Sequence, residues 1–148
     1  MELNTIQIAQ AAIAEIAKQF PNLTMVKNTE DPVELNVNVP VQSGLKYKIW
    51  LGLQNSDELF FAVSDNFYVS FYPCTNRNNV DLFVKAVTGF MSGELGVIEY
   101  YRGRYCVKAY LQNMGEQSRC TMATWHGRFW RVFGRKTTQI LRNDDLQG

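Results

Sequence analysis

Near the start of the chain, apolar side chains recur every three or four positions, at Ile6, Ala9, Ile13, Ile16, Ala17 and Phe20. That period is the mark of a helix with one buried face, with Asn4 or Thr5 as the N-cap and Pro21 ending the pattern. The same period returns at Val80, Phe83, Val84, Val87, Phe90 and Met91, after a cap-rich stretch over residues 75–79 and before Ser92 and Gly93. A second helix follows, closed by a glycine that tolerates the left-handed conformation. Gly89 lies inside it, where glycine costs about 1 kcal/mol relative to alanine. The position implies either close approach of another backbone or a frayed end.

Between and after the helices the period shortens to two, as in strands whose side chains alternate between faces. Residues 35–39 alternate around Asn36 and Asn38, residues 40–44 bring turn chemistry, and residues 45–54 resume with Tyr47, Ile49, Leu51 and Leu53 on one face. After the second helix, a tight turn at Arg102 and Gly103 aligns Ile98 and Tyr100 with Tyr105, Val107, Ala109 and Leu111 inward. Glu99, Arg104, Cys106, Lys108 and Gln112 are then on the polar face, with Lys46, Lys48, Trp50 and Gln54 in the corresponding place of the first hairpin. Two more hairpins are expected, one turning at Asp65-Asn66 between residues 59–64 and 67–72, the other at His126-Gly127 between residues 119–125 and 128–133. Residues 136–142 form a last strand and residues 143–148 a polar tail.

These elements predict an α+β fold, with two helices packed on antiparallel β-sheet, as a single domain over residues 1–148. The pattern also repeats. Glu34-Leu35-x-Val37 matches Glu94-Leu95-x-Val97, Leu53-Gln54-Asn55 matches Leu111-Gln112-Asn113, Tyr47 matches Tyr105 and Glu58 matches Glu116. An internal duplication of a helix-plus-hairpins unit, approximately residues 4–72 and 78–142, is the expectation. The layout is loosely similar to folds of secretion chaperones and to the saddle-shaped TATA-binding fold, an analogy of architecture that carries no function.

At 148 residues, 46% hydrophobic and 20% charged, the chain is suited to bury a core without staples. Cys74, Cys106 and Cys120 are odd in number and irregularly spaced, which fits free thiols in a reducing compartment and a cytoplasmic location. No basic n-region or long apolar run opens the chain, so neither an export signal nor membrane contact is expected. The net charge of +1 conceals a split, −4 over residues 1–74 and +5 over residues 75–148. That asymmetry implies either anionic partners for the second half or attraction between halves or protomers.

Two regions stand out as contact surfaces. In the hairpin of residues 59–72 a two-residue turn places Phe60, Ala62, Phe67, Val69 and Phe71 on one face and Leu59, Phe61, Val63, Tyr68 and Tyr72 on the other. Both faces then need cover, which makes Phe61, Tyr68 and Tyr72 candidates for protein contact or self-association. Residues 119–143 hold Arg119, Arg128, Arg131, Arg135, Lys136 and Arg142, no acidic residue, and interleaved aromatics. There Arg119, Trp125, Arg128 and Trp130 share a face suited to stack bases and neutralise phosphates, or to pack arginine stems over rings.

Catalytic chemistry has little support. His126, the single histidine, is expected in a turn, too far from Cys120 on the same hairpin to activate it. No metal-ligand spacing, calcium loop or phosphate cradle occurs, so no catalytic residue, metal or cofactor is expected. The functional expectation is a small non-enzymatic protein-binding or regulatory protein, acting through a protein partner or as a homodimer. The alternatives are a single-stranded nucleic-acid-binding protein and, behind it, an enzyme with an unrecognised site.

Overall fold

Asn4 opens the first helix with a reciprocal capping box. Its side-chain oxygen accepts from the Gln7 amide at 2.8 Å, and the Gln7 side chain accepts from the Asn4 amide at 3.1 Å. Helix α1 then spans Thr5–Gln19 in the computed structural model, which describes residues 4–30, 32–115, 121–127 and 133–144. Helix α2 spans Arg77–Ser92, capped by the Asn76 side chain and closed by Gly93 at φ 82°. Its stripe of Val80, Phe83, Val87 and Phe90 is buried. A Cβ at Gly89 would lie 2.5 Å from Cδ1 of Leu95. The close neighbour is therefore a side chain and not a backbone, because the turn at Gly93 folds Leu95 back onto the helix.

The first sheet is an antiparallel meander of β1 (Val26–Lys27), β2 (Leu35–Val39), β3 (Ile49–Gln54), β4 (Glu58–Val63) and β5 (Phe67–Phe71), in that spatial order. Its register stacks apolar residues in rows across four strands: Leu35, Leu53, Leu59, Phe71; then Val37, Leu51, Phe61, Val69; then Val39, Ile49, Val63, Phe67. These rows meet the helices, and each fully buried Leu, Val or Phe contributes about 1.5–3 kcal/mol.

The hairpin of β4 and β5 differs from expectation in one residue. Val63 pairs with Phe67, so Ser64, Asp65 and Asn66 all lie in the turn, with Ser64 at φ 54°. An added residue moves every following side chain to the opposite face. Phe67, Val69 and Phe71 therefore join Leu59, Phe61 and Val63 inward, while Phe60, Ala62, Tyr68 and Ser70 face out.

The second sheet holds β6 (Leu95–Arg102), β7 (Tyr105–Asn113), β8 (Thr121–His126) and β9 (Lys136–Arg142), ordered β8-β7-β6-β9. The β6–β7 turn is Gly103-Arg104, and a register shift follows at Tyr100/Tyr101, where Tyr100 pairs with Lys108 but Tyr101 with Cys106. Moving the two-residue turn along by one position keeps the same residues on each face, and it is the one-residue register shift that reverses β6 relative to expectation. Val97 and Glu99 face inward beside Leu111 and Ala109, and Ile98 and Tyr100 lie on the opposite face beside Tyr110 and Lys108, where Ile98 is nevertheless buried.

One apolar cluster joins Ile16, Phe61, Phe83, Phe90, Val97, Leu111 and Leu141, so both helices and both sheets share a core. The structure does not confirm a duplication. In the first half the fourth long strand, β5, pairs with the third, whereas β9 pairs with the first strand of its half, β6. Leu35 pairs with Leu53, yet Leu95 pairs with Asn113 and Leu111 with Val97. Among the described residues no helix is long and apolar enough to cross a membrane.

Candidate binding edge on the second sheet

The residues singled out for self-association separate in space. Phe61 is fully buried, with its ring 6.2 Å from Phe67 and 6.1 Å from Phe90. Tyr68 faces outward, stacked on Phe60 at 6.3 Å, and its hydroxyl accepts a hydrogen bond from the Gln54 side chain. Burial, and then the Glu58 charge, raise the Tyr68 pKa. Tyr72 lies beyond the end of β5 and is 60% exposed. Of the nucleic-acid candidates, Trp125 pairs with Ala109 and packs against the core. Arg119, Arg128 and Trp130, like Cys120, lie outside the described residues. His126 ends β8 opposite Lys108 and does not sit in a turn.

Inside the fold, the reversal of β6 buries a carboxylate. Glu99 is 3% exposed; one carboxylate oxygen accepts from the Tyr101 hydroxyl at 3.0 Å and the other from the Asn66 amide at 2.8 Å. The same amide donates to the Tyr101 oxygen at 3.2 Å. Burial, and then the hydrogen bond to Glu99, push the Tyr101 hydroxyl pKa upward. Cys106, paired with Tyr101 across the strands, is pushed up to about 11 by burial and then by the Glu99 charge. A thiol so placed stays protonated at neutral pH and is a poor nucleophile. The cluster ties the β4–β5 turn to β6.

On the helical side, a cleft of 650 Å³ runs between α1 and α2, lined by Ile8, Ala12 and Val80 with Glu15, Arg77, Asp81 and Lys85 at hand. Its charges balance, and Arg77 already pairs with Asp81 at 3.2 Å.

The opposite edge of the second sheet is unbalanced. Strand β9 pairs with β6 without interruption from Gly96↔Arg142 to Arg102↔Lys136, and among the described residues nothing pairs with its other edge. Six of its seven residues are exposed, Leu141 alone being buried. Two hollows border it. One, of 780 Å³, is lined by Tyr100, Arg102, Lys108, His126, Lys136 and Thr138; the other, of 460 Å³, by Tyr101, Arg104, Thr137 and Gln139. No Asp or Glu lines either hollow. The Gly103 amide donates to the Arg135 carbonyl at 2.9 Å, which brings Arg135 to the same end of the sheet. Lys108 stands 5.1 Å from the Tyr100 ring and 5.5 Å from the Tyr110 ring, the two tyrosines meeting edge to face at 5.4 Å. None of these cations forms an ion pair with a described carboxylate.

The sequence signal for this edge was only a last strand among basic residues; its place at the rim depends on pairing with β6, which is remote in sequence. Among the described residues, no group of three His, Cys, Asp or Glu side chains is arranged to hold a metal ion. Comparison with known protein families, curated proteins and solved structures yields no match.

Proposed function

We propose that this protein is a non-enzymatic binding protein that takes an extended polypeptide segment onto the outer edge of β9, with which no described residue pairs. The observation that carries the reading is a seven-residue edge strand, regularly paired on one side and exposed. Such an edge offers a row of main-chain donors and acceptors to any chain that adds a strand. Proteins commonly blunt edges with short strands, proline or bulges. Strand β9 has no proline and no bulge, and its charges stand only at its ends, in Lys136 and Arg142. A second copy is a poor occupant. Full antiparallel pairing of two β9 strands would set Lys136 opposite Arg142, and like charges directly opposite destabilise a sheet. A cytoplasmic setting belongs to this reading, on the strength of the free cysteines.

The test is selection of dodecapeptides from a random displayed library on the purified protein, followed by amide hydrogen exchange of each complex. The expected result is slowed exchange confined to residues 136–142 and their neighbours on β6. Protection of the α1–α2 cleft instead, or failure to select any peptide, overturns the proposal. A second reading, single-stranded nucleic acid on the outer face, is favoured by Lys108 between the Tyr100 and Tyr110 rings. It predicts oligothymidylate binding that weakens steeply with salt.

A further inference from the structure

We infer that the segment taken up by β9 is acidic at both ends of the paired stretch and carries an apolar residue near its start. This rests on the β9 reading and adds the chemistry of the partner. Side chains on one face of a strand recur every second residue. The outer face of β9 therefore presents Lys136, Thr138, Ile140 and Arg142, in line with Arg102, Tyr100, Ile98 and Gly96 of β6. A strand added antiparallel to β9, like every other pair in this sheet, sets its own residues about 4.5–5.5 Å, Cβ to Cβ, from these four.

Read from its N-terminus, the segment meets Arg142, then Ile140, then Thr138, then Lys136, at every second position. Arg142 donates from Nε to the Gly93 carbonyl at 2.7 Å, which holds its guanidinium in place, and the exposed Asp144 carboxylate, already paired with Lys46, feels its charge without bonding to it. Ile140 is 46% exposed and offers apolar area for the next residue. At the far end Lys136 stands with Arg102, Arg104 and Arg135, a group of cations without a described carboxylate partner. Like charges gathered this way repel each other, and a carboxylate opposite Lys136 relieves that repulsion. The matching pattern is acidic-x-apolar-x-small-x-acidic.

The probe is the peptide Glu-Thr-Val-Thr-Thr-Thr-Glu, acetylated and amidated so that only its two glutamates carry charge. Its comparison is the same peptide with glutamine at both ends. The inference expects the glutamate peptide to bind at least tenfold more tightly and to slow exchange of the 136–142 amides. It further expects the advantage to shrink in high salt and to vanish in Lys136→Glu, an exposed position whose variant should melt like the parent. Equal affinity of the two peptides, with β9 protected by both, overturns the acidic partner and leaves the edge reading standing. If neither peptide protects β9, while oligothymidylate binds the same face, both are overturned in favour of nucleic acid.

Discussion

Glu99 accepts two hydrogen bonds in a nearly closed site, so its loss leaves the Tyr101 hydroxyl without its acceptor and the Asn66 amide with only the Tyr101 oxygen. An unsatisfied buried polar group costs about 1–3 kcal/mol. Glu99→Ala is therefore expected to lower unfolding stability by at least that amount, and Glu99→Gln by less, because one acceptor oxygen remains; urea titration measures both. The neighbouring thiol adds a pH dependence. Cys106 has its folded pKa raised from 9.0 to about 11, so its contribution to stability is complete below pH 9 and is lost as pH rises toward 11. Tyr101, also raised, acts in the same direction from about pH 10 upward. Thermal melts between pH 8 and 11 should show a steeper loss for the parent than for Cys106→Ala. This cluster was not legible in the sequence. Alternation correctly marked β6 as a strand, but the bulge at Tyr100/Tyr101 reverses which of its residues face inward, and a bulge leaves no local signal in the alternation.

At the scale of elements, periodicity and caps mark both helices, while the neighbour of Gly89 is neither the backbone nor the frayed end that its position implies. The contact is with Leu95, and this gives Gly89→Ala an unusual sign. In an open helix the change would stabilise by about 1 kcal/mol. Here the new Cβ would fall 2.5 Å from Leu95 Cδ1 and 2.7 Å from its Cγ, and overpacking of that kind costs about 1–3 kcal/mol. Gly89→Ala is expected to destabilise the parent but to stabilise the Leu95→Ala background, where the nearest remaining Leu95 atom would be Cβ at 3.5 Å. A double-mutant cycle by chemical denaturation reads the change of sign; equal effects in both backgrounds would show that Leu95 moves aside at no cost. The hairpin of β4 and β5 shows how turn length decides which residues a strand presents together. Both strands were found, yet a three-residue turn in place of two carried Phe61 into the core and separated it from Tyr68. Turn length sets parity, and Ser-Asp-Asn is acceptable turn chemistry at either length.

At the scale of the whole molecule, the described residues show little charge pairing between the halves. Among the described ion pairs only Lys46 with Asp144, at 3.2 Å, crosses from one half to the other, and both partners are largely exposed, where such pairs contribute little. The halves are joined instead by the shared core and by Asn143, which sequence reading assigned to a polar tail because asparagine after a strand resembles any chain end. Asn143 is fully buried: its amide donates to the Met91 carbonyl at 2.5 Å and to the Gly44 carbonyl at 3.0 Å, and its oxygen accepts from the Lys46 amide at 3.0 Å. It thus fastens the end of β9 to the end of α2 and to the β2–β3 loop, holding the proposed binding edge to both halves at once. Asn143→Ala removes three hydrogen bonds to main-chain groups and is expected to cost about 2–4 kcal/mol on the scale of one buried group at about 1–3. Asn143→Asp should cost more, since a buried carboxylate would face two carbonyl oxygens. Because the core is continuous, both variants should shift one cooperative transition, and in a background with Trp125→Phe and Trp130→Phe the fluorescence of Trp50 in the first sheet should report the same urea midpoint as far-ultraviolet circular dichroism. Separate midpoints would mean that the halves unfold independently, and that Asn143 serves only the second.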